Sequence, residues 1–225
     1  MKERMYSERI ADAINGYLAE DDWNFSFDKK HGLFKFGLSL KGKIKKIGYI
    51  IDVKENEYVV YAISPLGADE DDKEMMTSMA EFICRANYGL VNGNFELDMR
   101  DGEIRFKCFV DCEGITPTSA VVRNSIHCPA AMFERYGAGM VDIVFGNASA
   151  KEAVEYCEKS TEDEFRSLLR EVFLREGDRE LSGKLSGLMG TADELGLSDD
   201  EEATDTDRES VHIKTDLFAT EGAEA

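Results

Sequence analysis

Residues 86–111 read ANYGLVNGNFELDMRDGEIRFKCFVD, and this stretch decides the fold. It predicts the end of a helix, a turn marked by Asn87-Tyr88-Gly89, and then a β-hairpin. Every second position of both predicted strands is apolar: Phe95, Leu97 and Met99, and then Ile104, Phe106, Cys108 and Val110. Such alternation places one face of a hairpin on a core and the other in solvent. Between the strands, Asp101-Gly102 is typical of a two-residue type I′ turn.

Four more alternating runs precede the hairpin and are joined by short loops. This arrangement predicts antiparallel neighbours with one face on a core. The core-facing residues are expected to be Trp23, Phe25 and Phe27, then Phe34, Phe36, Leu38 and Leu40, then Ile47, Tyr49, Ile51 and Val53, and finally Val59, Tyr61 and Ile63.

Apolar residues at helical spacing predict helices around these strands. In the helix after the hairpin, Thr116 is expected to cap the first turn and Pro117 to occupy the first helical position. Pro129 is expected to break or kink that helix, because proline lacks the N–H group and clashes with the preceding turn. The predicted helices cover residues 6–18, a segment after the acidic residues 69–72, residues 116–145, residues 148–157, and residues 161–177.

The order of elements predicts an α+β fold, with an antiparallel β-sheet and helices packed on one of its faces. Residues 1–160 are expected to form this domain, residues 161–177 an appended helix, and residues 178–225 a disordered acidic tail. From Glu176 onward there are 15 acidic residues against 4 basic ones, a net charge of −11. More than half of the formal net charge of −19 therefore lies in the last quarter of the chain.

The charge and the cysteines limit the classes of function. A net charge of −19 argues against nucleic acid and against anionic membranes as partners, since both need clustered Lys and Arg. We expect no signal peptide, because no apolar run follows the charges at residues 2–4, and no membrane span, because no window approaches roughly 18 consecutive apolar residues. Five irregularly spaced cysteines favour reduced thiols over a disulfide framework. These patterns predict a cytoplasmic location.

Catalytic and metal-binding patterns are weak throughout the sequence. Cys108, Cys112, His127 and Cys128 suggest a zinc site, but no Cys-x-x-Cys pair accompanies them. Packing of Cys108 in the core is the preferred interpretation. Gly-x-Gly-x-x-Gly and phosphate-binding loops are missing from the sequence as well. We therefore expect no catalytic residues, no metal and no cofactor.

One aromatic residue lies on the polar side of its predicted strand. Phe109 alternates with the core positions and follows Arg105 and Lys107, so it would be exposed if that face were wet. Tyr58 and Val60 lie on the predicted outward face of the fourth alternating run, so they too would be exposed unless something covers that face. Covering of Phe109 by the protein itself or by a second copy is the preferred interpretation, and Tyr58, Val60, Arg105, Lys107 and Phe109 are the predicted residues of a partner- or self-binding sheet surface.

The Asn87-Tyr88-Gly89 turn and the run Asp101-Gly102-Glu103-Ile104-Arg105-Phe106, in this order of elements, resemble the YbjN family of bacterial sensory-transduction regulators. The resemblance is strongest over residues 75–136 and more diffuse over residues 6–65, and it leaves out the acidic tail. It implies the fold of type III secretion chaperones and a non-catalytic, chaperone-like or adaptor protein.

The sequence thus supports two hypotheses about function. The first is a non-catalytic protein-binding module, a chaperone-like or regulatory adaptor, whose partner is an unidentified protein or a second copy in a homodimer. The alternative is a small-molecule sensor or an enzyme that uses a pocket between sheet and helices, near Cys108, His127 or Cys128. Several converging polar groups in such a pocket would favour the alternative, and an exposed apolar stripe would favour the module.

Overall fold

A computed structural model describes residues 5–146 and 148–161. The strands are β1 (Phe25–Asp28), β2 (Leu33–Ser39), β3 (Lys46–Val53), β4 (Glu57–Ile63), β5 (Asn94–Leu97) and β6 (Ile104–Asp111). The helices are α1 (Glu8–Glu20), α2 (Lys73–Asn87) and α3 (Ser119–Gly146), and residues 150–161 are helical as well. The predicted tail over 178–225, and all but the first residue of the predicted helix over 161–177, lie outside the described residues.

The six strands form one antiparallel sheet in the order β1-β2-β3-β4-β6-β5. One core contains alternate residues of each strand together with the buried stripes of α1, α2 and α3. The helices therefore cover one face of the sheet, and the predicted α+β class is confirmed. We call the opposite face of the sheet the outer face.

The helix starts follow from capping chemistry. Ser7 accepts a hydrogen bond from the Ile10 N–H at 3.3 Å and caps α1, and Asp72 accepts two backbone N–H bonds and caps α2. The prediction that Pro117 begins α3 is wrong by two residues. Thr118 caps this helix instead, since its hydroxyl lies 3.3 Å from the Val121 nitrogen.

Helix α3 continues through Pro129 as one helix of 28 residues, so of the two expected effects, a break or a kink, the break does not occur. A proline inside a helix costs roughly 3 kcal/mol through the lost N–H bond and the ring clash. Burial on both sides of the proline offsets this cost, because Ile126 and Phe133 are almost completely buried in the core. The helix is held by its packing at this point rather than by its local sequence.

The predicted type I′ turn at Asp101-Gly102 is wrong. Only Gly102 has a positive φ, +72°, whereas a type I′ turn needs two such residues. The loop spans residues 99–102 and is closed by a bond from the Asp98 nitrogen to the Glu103 oxygen at 2.9 Å. The Asp98 side chain stabilises this longer loop by accepting the backbone N–H and the guanidinium of Arg100.

The predicted facing of β4 is also wrong. Tyr58 and Val60 point toward the helices and are completely buried, whereas Val59 lies on the outer face. The register explains the reversal, because Val60 pairs with the core residue Ile51 and Tyr58 pairs with Val53. A 3.1 Å hydrogen bond to the Ser125 hydroxyl satisfies the Tyr58 hydroxyl inside the core.

The Asn-Tyr-Gly turn shields one edge of the sheet. The Asn87 side-chain amide donates to the Phe95 carbonyl at 3.0 Å, and the Phe95 N–H donates to the Asn87 side-chain oxygen at 2.7 Å. Asn87 thus pairs with the backbone of β5 as a neighbouring strand would. The edge is correspondingly less available for pairing with another chain.

Candidate protein-binding face

Six apolar side chains occupy the outer face of the sheet and lie outside the core. We call this set the outer apolar patch: Leu33, Ile50, Val59, Tyr61, Ile63 and Phe109. Phe109 is 53% exposed, although a phenylalanine ring normally gains about 1.5–3 kcal/mol from full burial. Val59 is only 5% exposed, because its neighbours on the same face shield it. Phe109 is therefore the exposed member of a patch whose other side chains are half-buried or, like Val59, buried among their neighbours.

The register of the strands brings the patch together from four strands. Val59 of β4 lies directly opposite Phe109 of β6. Ile50 of β3 lies opposite Tyr61 of β4, and Leu33 of β2 occupies the same row as Val59 with Asp52 of β3 between them. Side chains directly opposite each other have Cβ atoms about 4.5–5.5 Å apart, so the patch is continuous across β3, β4 and β6, and Leu33 adjoins it only diagonally, beside Ile50.

Two glycines face each other beside the patch, and one of them leaves the backbone bare. Gly37 of β2 pairs with Gly48 of β3, and this row continues to Ile63 of β4. A Cβ atom added to Gly48 would meet nothing within 4 Å, so this position is open. At Gly37 an added Cβ would lie 2.9 Å from the Lys46 Cε, so the Lys46 side chain lies over that glycine. A glycine inside a strand often marks the close approach of another backbone or a ligand, and Gly48 is the position open to one here.

An ionic cluster borders the patch on the β5–β6 side. The Arg105 Nε lies 2.8 Å from one carboxylate oxygen of Glu96, and the Lys107 ammonium contacts the other. The Arg105 guanidinium also stacks over the Tyr61 ring, 4.6 Å from its centroid. Two contacts, with Glu96 and with Tyr61, therefore hold Arg105 in one orientation on the surface. Such preorganised arginines lose little entropy when they bind a partner.

Protonation of Glu96 is expected to loosen this cluster. Partial burial opposes ionisation, but hydrogen bonds from Lys107 and Arg105 outweigh it and lower the pKa of Glu96 below its usual 4.5. A group whose pKa is lower in the folded state stabilises the fold above its unfolded pKa, and this contribution is lost as the pH falls through the folded pKa.

We therefore expect Glu96→Gln to lower the free energy of unfolding near pH 7 by up to about 1 kcal/mol, the range of partly exposed pairs. The difference from the wild type should shrink as the pH falls below 4.5. Urea unfolding of both proteins between pH 7 and pH 3 would measure this. A difference that stays constant with pH would contradict the role of the Glu96 charge.

The structure groups some of the predicted binding residues and separates others. Arg105, Lys107 and Phe109 lie together on the outer face of β6. Tyr58 and Val60 lie behind them in the core and offer no surface to a partner. Sequence reasoning missed Leu33, Ile50, Val59, Tyr61 and Ile63. The sequence indicated an apolar outer face only through the unbroken run from Tyr58 to Ile63, which is apolar on both faces of β4.

The cysteines and His127 do not form a recognisable reactive or metal centre. Cys108 and Cys112 are buried, and residues 5–146 and 148–161 contain no group of three or more potential metal ligands. The contact with the Cys108 thiol lowers the pKa of the Cys128 thiol, and the Cys128 sulfur lies 3.5 Å from the Asn92 carbonyl oxygen. His127 instead contacts the Tyr17 hydroxyl at 3.0 Å.

A groove of about 470 Å³ lies between α1 and the start of α3. Its polar lining consists of Tyr17, Glu20, Asp21, Ser119, Arg123 and His127. The groove lies at the helix surface and not between sheet and helices, where the alternative hypothesis expected a pocket.

The fold and the outer face together define an α+β protein with a sheet that helices cover on one side. Its structure is similar to a crystal structure of YbjN from E. coli, described there as a candidate transcription regulator, with a TM-score of 0.43 and 14% sequence identity. The similarity covers 56% of this chain and 90% of that chain, and it is a distant one of fold alone. No family model and no curated protein matches the sequence. Among the described helices, none is long and apolar enough to span a membrane.

Proposed function

We propose that this protein is a non-catalytic protein-binding module, a regulator or adaptor that binds its partner through the outer face of the sheet. The observation that carries the proposal is the outer apolar patch, which lies outside the core and which no described helix covers. Phe109 makes this patch accessible, and a clustered apolar surface with an exposed aromatic residue is typical of an interaction site. Membership of the YbjN family and a chaperone-like role are part of the same proposal.

The composition of the face supports a protein partner. Aromatic residues and arginine dominate the binding energy of protein interfaces, and here Phe109, Tyr61 and Arg105 are neighbours on the outer face. Lys107 and Glu96 add charge at the edge of this group, as in the polar rim of many interfaces. The net charge of −19 argues against a nucleic acid as the partner.

The location we propose is the bacterial cytoplasm. All five cysteines are free thiols in the structure, including the exposed Cys84 and the half-buried Cys128. Thiols of this kind persist in a reducing compartment.

Replacement of Phe109 tests the proposed face. The full chain, immobilised and crosslinked in lysate of its native host, should capture a stoichiometric protein partner. Phe109→Asp should reduce this capture at least about tenfold, because the substitution places a charge in the apolar contact and a buried unpaired charge costs about 1.4 kcal/mol or more. Phe145→Asp is the matched control, since Phe145 is an even more exposed phenylalanine, 73%, on α3.

Three outcomes of this experiment are informative. Loss of the partner only with Phe109→Asp would support the proposal, provided that circular dichroism shows both variants folded. Capture that survives Phe109→Asp would contradict the proposed face. Stabilisation by a small molecule without any captured protein would favour the second candidate, a sensor or an enzyme, for which the polar groove at Tyr17 and His127 is the place to look.

A further inference from the structure

The charges on the outer face separate along the strand direction. Toward one end of the paired strands lie the acidic side chains Asp28, Asp52, Glu57 and Asp111, where Lys54 pairs with Glu57 and His31 with Asp28. Toward the other end lie the basic side chains Lys35, Lys46, Arg105 and Lys107, where Glu96 and Glu103 are the acidic neighbours. The outer apolar patch shares its rows with these charges, since Val59 and Phe109 lie level with Asp52, and Ile50 and Tyr61 lie level with Lys35 and Lys107. The face therefore has a direction, with an acidic excess at one end and a basic excess at the other.

We propose that the outer face binds the outer face of a second copy of this chain. The two copies are related by a twofold axis that lies in the interface and runs perpendicular to the strands. This inference rests on the proposed function and names its partner. The twofold axis places the basic end of each copy over the acidic end of the other and stacks the two apolar patches. Such an interface is isologous, so one surface provides both halves. Its geometry is that of two sheets packed face to face.

The size of the face suits a stable dimer. Six strands span about 24 Å and eight residues extend about 26 Å, which gives a flat footprint of about 600 Å². A standard interface buries about 800 Å² of accessible surface per partner, and protruding side chains make the accessible area of the face larger than its flat footprint. Burial of the whole face would thus approach the area of a standard interface.

The edges of the sheet offer a poorer route to association. The two edge strands, β1 and β5, have only four residues each. Asn87 already occupies the backbone groups of Phe95 on β5. Short edges with occupied backbone groups resist pairing with another chain. The face, and not an edge, is therefore the surface we assign to the second copy.

Sedimentation of the purified full chain over a concentration series tests the dimer. We expect a dimer for the wild type and for Phe145→Asp, and at least a tenfold weaker dimer for Phe109→Asp. A monomeric wild type would overturn the inference, and so would a dimer that Phe109→Asp leaves unchanged. Because these samples contain no lysate, a monomer that still captures a partner through Phe109 would overturn the dimer and leave the proposed function intact.

Paired charge reversals test the orientation. One variant carries Lys35→Glu and Lys46→Glu at the basic end, and the other carries Glu57→Lys and Asp111→Lys at the acidic end. Each variant alone brings like charges together twice and should dimerise at least tenfold more weakly. An equimolar mixture should recover the dimer, because both ends are then complementary. Failure of the mixture to recover would overturn this twofold arrangement.

Discussion

Val60→Asp is expected to unfold the protein. The Val60 side chain is completely buried on the helix-facing side of β4, opposite the core residue Ile51. An unpaired buried charge costs about 3–5 kcal/mol, a large part of the total stability of a typical domain. The far-UV circular dichroism and the urea unfolding curve should both show the loss of cooperative structure at room temperature.

Ile50→Asp is the matched control for this prediction. Ile50 lies on the next strand and is partly exposed, but it faces outward and lies outside the core. An outward carboxylate remains hydrated, so the fold should persist and only association through the outer face should weaken. A folded Val60→Asp would contradict the facing of β4, and unfolding by Ile50→Asp would contradict the outward facing of Ile50 on β3.

The sequence alone could not determine the facing of β4. Alternation identifies the buried face only where the other face is polar, as in β6, where Arg105 and Lys107 alternate with core residues. From Tyr58 to Ile63, all six residues are apolar, so both choices fit the pattern equally well. The decision depends on pairing with Ile51 and on the bond to Ser125, 67 residues away in the chain.

Local chemistry explains which elements were predictable. The start of α2 follows from the Asp72 cap, which acts within three residues of its own position. The continuity of α3 through Pro129 depends instead on burial against distant strands. Propensity is a weak guide wherever packing contributes several kilocalories, so tertiary contacts overrode the expected break.

The outer face illustrates the same limit for a functional site. Phe109 was identifiable because an aromatic residue stood among charged neighbours on a single strand. The rest of the outer apolar patch comes from β2, β3 and β4, and only the strand register places these residues beside it. The direction of charge across the face depends on that register too. A site spread over several strands is therefore visible only after the fold is known.

Gly102→Ala is expected to cause the second large loss, because Gly102 has both an unusual backbone conformation and no free space. Its φ is +72°, and an added Cβ would lie 1.9 Å from the Ala68 carbonyl oxygen. The left-handed conformation costs a non-glycine residue about 1–2 kcal/mol, and overpacking against backbone adds about 1–3 kcal/mol. Urea unfolding should therefore show a loss of about 2–5 kcal/mol.

Gly114→Ala separates the two causes. Gly114 has nearly the same φ, +71°, but an added Cβ would meet nothing within 4 Å. Its substitution should cost only the conformational penalty of about 1–2 kcal/mol. The excess loss in Gly102→Ala then measures the contact with Ala68, which also donates its N–H to the Gly102 carbonyl at 3.0 Å. Equal losses in the two variants would show that the segment before α2 moves away freely, and the hairpin loop would not be anchored there.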